Sequence, residues 1–297
     1  MTGRMTVRHV TRYQYSGPVT FGPHRLMLRP RDSHDLRLLD ATLRLSPPAE
    51  LRWIHDVFGN SIAIAEFAED AAVLEIESTL RLERYPYVPP SMDIDADAAT
   101  YPFIYASDDR RDLGPLRETH YPDPKGRLAE WAAGFVMAKG TDTLALLSDI
   151  NDGIHQGFAY QARDEEGTQT PVETLERGSG TCRDFALLFI EAARHLGLGA
   201  RFVSGYLYDP ALDAGAEGAA VQGAGATHAW AEVFLPGAGW VEYDPTNGLI
   251  GSEALIRVAV TRDPAQAIPI SGSFTGDAGG YLGMEVEVSV TLGDDGE

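Results

Sequence analysis

The chain has 297 residues, of which 44% are hydrophobic, so it can bury the cores of two globular domains. Lys and Arg number 24 against 44 Asp and Glu, and the resulting net charge of −20 argues against nucleic acid and against an anionic membrane surface as partners. A single cysteine excludes an internal disulfide framework and fits a reducing compartment, which predicts a cytoplasmic protein.

Residues 1–85 are predicted to form a small antiparallel β-sandwich. Apolar and polar residues alternate with a period of two in 40–46 and in 74–83, as in strands that bury one face. A turn signal at 56–60 separates two of these strands. The histidines of this part lack the spacing of metal ligands, so we interpret them as structural: His9, His24, His34 and His55.

Residues 86–125 are predicted to be a linker that lies over the surface, because the stretch is acidic, contains prolines and has little periodicity. Its aspartates at 93, 95 and 97 imitate the start of a calcium loop. Ala98 and Ile104 stand where such a loop needs glycine and glutamate, so we predict no calcium site there.

Two amphipathic helices are predicted to open the second domain, residues 126–252. Apolar residues at helical spacing from Leu128 to Val136 indicate the first helix, which should end near Gly140. Thr141 or Asp142 is a suitable first residue for the second helix, which extends to about residue 155. Both helices are interpreted as packing elements of a core.

Cys182 stands between a glycine-rich turn and an almost entirely apolar helical run. The turn is 178–181, and the run extends from Phe185 to Leu196. A cysteine in the first turn of a buried helix lies at the positive end of the helix dipole, which favours the thiolate. The backbone N–H groups at that position can also receive an oxyanion. A buried cysteine without a function is the alternative, but Arg183 and Asp184 directly after it favour a reactive thiol.

Two strands supply candidate partners for this thiol. An acidic loop rich in Gly and Ala, 209–225, is interpreted as either a lid or a disordered segment. It precedes a strand with His228, and a second strand carries Asp244. If the two form a hairpin around residues 236–237, His228 and Asp244 lie opposite each other or one diagonal step apart. Cys, His and Asp then supply the nucleophile, the acid or base and the orienting carboxylate of thiol catalysis.

Residues 253–297 are predicted to return to β-structure. One strand is predicted at 254–260, and alternation at 285–292 predicts another, followed by an acidic tail. The pattern leaves open whether these strands extend the sheet of the second domain or pack against the N-terminal sandwich.

Four blocks of the sequence closely resemble the bacterial transglutaminase-like family. They are Gly180 to Ala186, Arg201 to Tyr206, Thr227 to Val233 and Gly239 to Gly248. The resemblance is firm over residues 150–251, and the N-terminal part looks like the β-domain that precedes the core in one subgroup. It implies an α+β chain, in which an antiparallel β-sandwich is followed by a papain-like core with a central helix packed on an antiparallel sheet. It also implies a catalytic triad of Cys182, His228 and Asp244.

The expected activity is that of a cofactor-independent thiol enzyme that attacks a peptide or glutamine amide and passes through a thioester. Water as the acceptor makes it a cysteine peptidase or amidase, and an amine makes it a transglutaminase; the sequence leaves both open. Tyr160 or Gln161 is a candidate for completing the oxyanion hole. The alternative is a non-catalytic peptide-binding module that retains the fold. The sequence carries neither the His-Glu-x-x-His motif of a metal hydrolase nor the Gly-x-Ser-x-Gly motif of a serine hydrolase.

Overall fold

A computed structural model describes residues 3–85, 93–137, 140–162, 167–215, 222–277 and 279–293. Three of the predicted features extend beyond these ranges. The start of the predicted linker (86–92), the middle of the Gly- and Ala-rich loop (216–221) and the end of the acidic tail (294–297) lie outside the described residues.

The strands of the N-terminal part are β1 (Gly3–Phe21), β2 (His24–Arg29), β3 (Leu36–Ser46), β4 (Ala49–His55), β5 (Ser61–Phe67) and β6 (Ala71–Arg84). The described residues of the middle form the short strands β7 (Thr100–Tyr101), β8 (Thr141–Asp142), β9 (Ala159–Tyr160) and β10 (Ser179–Gly180). They also form the helices α1 (Ser107–Leu113), α2 (Arg127–Ala133), α3 (Thr143–Gly157), α4 (Pro171–Arg177) and α5 (Cys182–His195).

In the last third of the chain, the described residues form one short helix, α6 (Pro210–Asp213), and eight strands. The strands are β11 (Ala200–Leu207), β12 (Thr227–Leu235), β13 (Gly239–Asp244), β14 (Leu249–Ile250), β15 (Leu255–Thr261), β16 (Ile270–Ser271), β17 (Phe274–Thr275) and β18 (Tyr281–Leu292).

The N-terminal strands form two antiparallel sheets. One contains β3, β6 and β1, with β17 and β18 paired to β1, and the other has the order β16, β2, β5 and β4. Alternation explains the arrangement, since the even-numbered residues of β6 from Leu74 to Leu82 are buried while the odd-numbered residues between them are more exposed. The predicted antiparallel sandwich is confirmed.

The second part is built on α5, which packs against the five-stranded antiparallel sheet β14, β13, β12, β11 and β15. All residues of α5 except Arg183 and His195 are buried, so the continuous apolar run corresponds to a helix enclosed by protein. Phe202, Ala231 and Val233 provide the sheet side of this core. The predicted arrangement of a central helix on an antiparallel sheet is confirmed. Among the described residues, no helix has both the length and the apolar character of a membrane span.

The stretch predicted to lie over the surface between the two parts is anchored to the core by a few buried side chains, while most of its described residues are exposed. The Tyr105 side chain is buried, and its hydroxyl donates to the Phe234 carbonyl at 2.8 Å and accepts from the Gly199 N–H at 3.0 Å. The helix predicted to reach Gly140 is shorter than expected, because α2 ends at Ala133, where Gly134 follows as its C-cap. Asp142, one of the two predicted starts, caps α3 by accepting from the Ala145 N–H at 2.8 Å.

The C-terminal strands take both of the routes that the sequence left open. β15 pairs with β11 in the core sheet, whereas β18 pairs with β1 in the sandwich along almost its whole length. The two parts share an apolar cluster in which Val7 and Leu80 meet Tyr206 and Ile256. The buried imidazole of His9 joins them as well, since its Nδ1 lies 3.0 Å from the Tyr206 hydroxyl.

Gly205 permits the close approach of three elements behind the candidate site. A Cβ at this position would lie 2.1 Å from the Ile256 carbonyl oxygen on β15 and 2.8 Å from the Trp230 ring on β12. The β11–β15 register also shifts between Ser204 and Gly205. The absence of a side chain at Gly205 therefore lets the Trp230 indole pack directly against β11.

Candidate functional site

Cys182 is the first residue of α5, and its side chain is buried and not in a disulfide. The short strands β9 and β10 run parallel beside it, with Tyr160 paired to Gly180. The Gln161 N–H donates to the Gly180 carbonyl at 2.9 Å, which continues this pairing up to the residue before the helix cap. The thiol therefore lies where the first backbone N–H groups of α5 have no partner within the helix.

The buried carboxylate of Asp184 holds the turn that precedes Cys182. Its Oδ2 accepts from the Thr181 N–H at 2.8 Å, from the Thr181 hydroxyl at 3.0 Å and from Gln169 Nε2 at 3.1 Å. Its Oδ1 accepts from the Gln169 N–H at 2.7 Å. A Cβ on Gly180 would lie 2.8 Å from Asp184 Cβ, so the turn passes too close to Asp184 for any side chain at position 180. Nothing in the sequence pattern around Asp184 predicted this role.

His228 and Asp244 meet through the predicted hairpin. In that hairpin Ala231 pairs with Tyr243 and Leu235 with Gly239. Odd-numbered residues therefore pair with odd-numbered residues, and the even-numbered residues of both strands share one face. The register places Asp244 one diagonal step from His228 on the same face. His228 Nε2 donates to Asp244 Oδ2 at 2.8 Å, and both side chains are fully buried.

The other ring nitrogen of His228, the buried Nδ1, is left without a hydrogen bond within the part of the chain that the structure describes, and the thiol lies nearby. The Cys182 thiol is close enough to contribute to the pKa of His228. The Trp230 ring stacks near the imidazole, at 6.0 Å between ring centroids and 27° between planes, which fixes the tilt of the ring. The structure thus brings Cys182, His228 and Asp244 together.

Burial alone lowers the pKa of His228, but the charge of Asp244, its hydrogen bond and the neighbouring Cys182 outweigh burial and raise the pKa to about 10. Asp244 responds in the opposite sense. Burial raises the pKa of its carboxyl, whereas the charge of His228 and the hydrogen bonds from His228, Asn247 and the Thr246 N–H lower it. The pair is therefore an imidazolium and a carboxylate at neutral pH.

We expect His228 to remain protonated from about pH 6 to pH 8, while buried His9, whose pKa is lowered to about 4 by burial, is neutral over the same range. The folded-state pKa of His228 is raised, so its contribution to stability is complete below the unfolded value of about 6.5 and is lost as the pH rises through about 10. Nitrogen-15 chemical shifts of the histidine rings measure both states directly.

The variant Asp244→Asn separates the causes of the His228 shift. Since Asp244 makes the largest contribution that raises the pKa of His228, this pKa should fall in the variant, while the shifts of His9 stay unchanged. A wild-type His228 that titrates near the ordinary value of about 6.5 would contradict the assignment.

The two candidates for the oxyanion hole occupy different environments. Tyr160 is half-buried, and burial together with the negative charges of Cys182 and Asp184 raises its pKa to about 12, so its hydroxyl remains a donor. Its ring contacts Phe185, one turn after Cys182, at 6.5 Å between centroids. Gln161 is exposed. The environment of Tyr160 is the more suitable for an oxyanion donor.

Two residues of the site escaped the sequence analysis. Asn247 donates through Nδ2 to Asp244 Oδ2 at 2.9 Å, and His155 Nδ1 donates to the Thr246 carbonyl at 2.9 Å, which supports the turn after Asp244. The position of Asn247, three residues after Asp244, was the one signal available. Across the described ranges, no group of three or more His, Cys, Asp or Glu side chains is arranged to hold a metal ion.

Known protein families match both parts of the chain. Residues 5–83 match the bacterial transglutaminase-like N-terminal region, and residues 129–245 match the transglutaminase-like superfamily. An uncharacterised protein of Mycobacterium tuberculosis is 30% identical over 308 residues, which cover 99% of this chain and 95% of that protein. An uncharacterised protein of Mycobacterium leprae is 27% identical over 289 residues, covering 96% and 98% of the two chains.

A solved structure shares the whole fold. It is the crystal structure of a "putative cysteine protease" from Cytophaga hutchinsonii, with a TM-score of 0.73 and 20% identity over 98% of this chain and 91% of that one. The similarity extends through the sandwich as well as the core. The chain belongs to the transglutaminase-like superfamily and carries the bacterial transglutaminase-like N-terminal region before its core.

Proposed function

We propose that the protein is a thiol enzyme that cleaves an amide of a peptide or protein through Cys182, His228 and Asp244. The observation that carries the proposal is the buried pair of His228 and Asp244, with Cys182 at the start of α5 close enough to raise the pKa of His228. An imidazolium beside a thiol favours the thiolate, which is the nucleophilic form. The chemistry uses no metal and no cofactor.

In the first half-reaction, the Cys182 sulfur bonds to the amide carbonyl carbon and the C–N bond breaks. The proton held on His228 Nδ1 passes to the leaving nitrogen, so that ammonia or an amine leaves and a thioester remains. In the second half-reaction, neutral His228 takes a proton from the acceptor, whose oxygen or nitrogen bonds to the carbonyl carbon while the C–S bond breaks. Asp244 stays ionised throughout and holds the ring in the required orientation.

The negative oxygen of the tetrahedral intermediate needs donors that are in place before the reaction. The backbone N–H groups at the start of α5 provide one set, and the Tyr160 hydroxyl is proposed as the side-chain donor. Its raised pKa supports this role, because a phenol that stays protonated can donate. Removal of one such donor typically slows turnover by about two to three orders of magnitude.

Both acceptors, water and a primary amine, remain part of the proposal. Water makes the enzyme a cysteine peptidase or amidase, and an amine makes it a transglutaminase. The net charge of −20 excludes no peptide substrate but opposes nucleic acid as a partner. The cytoplasmic location inferred from the single cysteine stays a prediction.

The test is to trap the thioester. Wild-type protein is incubated with pools of glutamine-containing peptides, quenched in acid and examined by mass spectrometry for an acyl group on Cys182, with Cys182→Ala as the control. An acyl adduct that disappears in the variant supports the proposal. Addition of hydroxylamine, a strong amine acceptor, then separates transfer to amines from hydrolysis. Peptide binding that persists in Cys182→Ala without any adduct in the wild type would favour a non-catalytic binding module.

A further inference from the structure

We propose that Asn247 is a positioning residue that joins Asp244 and the segment Gln222–Gly225 into one hydrogen-bonded unit and thereby fixes the orientation of His228. The inference rests on the proposed function of Cys182 and His228, and it adds a residue to which that function gives no role. Asn247 is half-buried, and its side chain bonds to Gln222 and Asp244, so its effect on the thiol has to pass through Asp244 and His228.

The carboxamide of Asn247 uses all of its polar groups. Its Oδ1 accepts from the Gln222 N–H at 3.0 Å, and its Nδ2 donates to the Gln222 carbonyl at 3.2 Å and to Asp244 Oδ2 at 2.9 Å. The orientation of the amide is determined by these partners. If Oδ1 and Nδ2 were exchanged, a donor would face the Gln222 N–H and an acceptor would face a carboxylate. The side chain therefore bridges a loop backbone and a buried charge.

The segment Gln222–Gly225 lies against the imidazole. Gly223 has a φ of +85°, and a Cβ at this position would lie 2.5 Å from His228 Nδ1. Only a residue without a side chain can approach the ring so closely. Because Gln222 is held at both backbone groups by Asn247, the position of the neighbouring Gly223 against His228 depends on Asn247.

Asp244 Oδ2 is the point at which the two contacts meet. It accepts from His228 Nε2 at 2.8 Å and from Asn247 Nδ2 at 2.9 Å, while Oδ1 accepts from the Thr246 N–H at 3.0 Å. Two donors on one oxygen leave the carboxylate little freedom to rotate. Asn247 thus restrains His228 twice, through the carboxylate on one side of the ring and through the glycine segment on the other.

The test uses iodoacetamide as a probe of the only cysteine, so that no substrate is required. The alkylation rate of Cys182 is measured against pH in the wild type, Asn247→Ala and Asn247→Ser, with Gln156→Ala as a control that removes an exposed carboxamide on α3. The midpoint of each profile is the pH at which the alkylation rate falls to half of its plateau on the acid side. In both Asn247 variants we expect this midpoint to rise by about one pH unit, which corresponds to an about tenfold smaller equilibrium constant for forming the ion pair. The control should leave this midpoint unchanged.

The midpoint and the plateau report different properties. If release of the segment Gln222–Gly225 only makes the thiol more accessible, the alkylation rate rises by the same factor at every pH. If the ion pair is less well supported, the midpoint pH of the profile moves instead. A midpoint that is unmoved would show that Asn247 is only structural. A midpoint that moves down would show that its hydrogen bond merely weakens the negative charge of Asp244, and either result overturns the proposal. Failure of the proposed function has a separate sign, which is a wild-type profile identical to that of His228→Ala.

Discussion

Alkylation of Cys182 by iodoacetamide is expected to proceed at nearly the same rate at pH 6 and pH 8 in the wild type, and to rise close to a hundredfold over this range in His228→Ala. An isolated thiol with a pKa of about 8.5 gains roughly tenfold in thiolate for each pH unit below that value. In the wild type, an imidazole whose pKa is raised to about 10 stays protonated across the whole range, so the cation that would pair with a thiolate is present at both pH values. The slope of the alkylation rate against pH therefore reports whether Cys182 and His228 form an ion pair.

The slope is a better measure than the rate at a single pH. A thiolate of low basicity is also a weaker nucleophile, with a Brønsted coefficient of about 0.4 to 0.5, so a larger fraction of thiolate is partly offset by lower reactivity of each thiolate. That offset is constant with pH and does not alter the slope. The wild-type rate can thus be only modestly higher than that of the variant at pH 6 while the two slopes differ fully.

The control for this experiment is His34→Ala, which removes an exposed histidine of the sandwich and should leave the profile flat. Cys182 is the only cysteine, so no other thiol contributes to the measured rate. A steep wild-type profile that coincides with that of His228→Ala would mean that the ring does not hold the thiolate. The non-catalytic binding module would then be the better description of the protein.

Local sequence patterns predicted those parts of the fold that depend only on the order of polar and apolar residues within one segment. The alternation in β6 and the continuous apolar run of α5 led to a sandwich and a buried helix, and both are present. The hairpin of β12 and β13 was predictable because its turn lies between two short strands. The sequence left open whether His228 and Asp244 lie opposite each other or one diagonal step apart, and the register of the structure gives the diagonal step.

Contacts between segments that are far apart in the sequence could not be predicted from such local patterns. β18 has the alternation of any half-buried strand, and nothing in that alternation identifies β1, whose paired residues lie 266 to 287 positions earlier, as its partner. The role of Asp184 depends on Gln169, which lies outside the recognisable cysteine block. Asn247 was hidden for the same reason, since its partner Gln222 comes from the other side of the hairpin. Such side chains gain their function from the assembled fold.

Asp184→Ala is expected to lower the free energy of unfolding by about 4 kcal/mol, because it leaves several buried donors without an acceptor. The carboxylate accepts from two backbone N–H groups, those of Gln169 and Thr181, and from the side chains of the same two residues. The Thr181 hydroxyl can rotate to another partner, but the backbone groups cannot. Urea denaturation followed by circular dichroism measures the loss.

Asp184→Asn tests whether the acceptor capacity of the carboxylate matters more than its shape. The amide keeps one oxygen for the Gln169 N–H, but its NH₂ group then faces the Thr181 N–H and Gln169 Nε2, so donors oppose donors. We expect this variant to lose more than half as much stability as Asp184→Ala. Asp149→Ala, at an exposed position of α3, is the matched control and should change stability by no more than about 0.5 kcal/mol. A loss below about 1 kcal/mol in Asp184→Ala would mean that the turn before Cys182 is held by the parallel pairing of β9 and β10 alone.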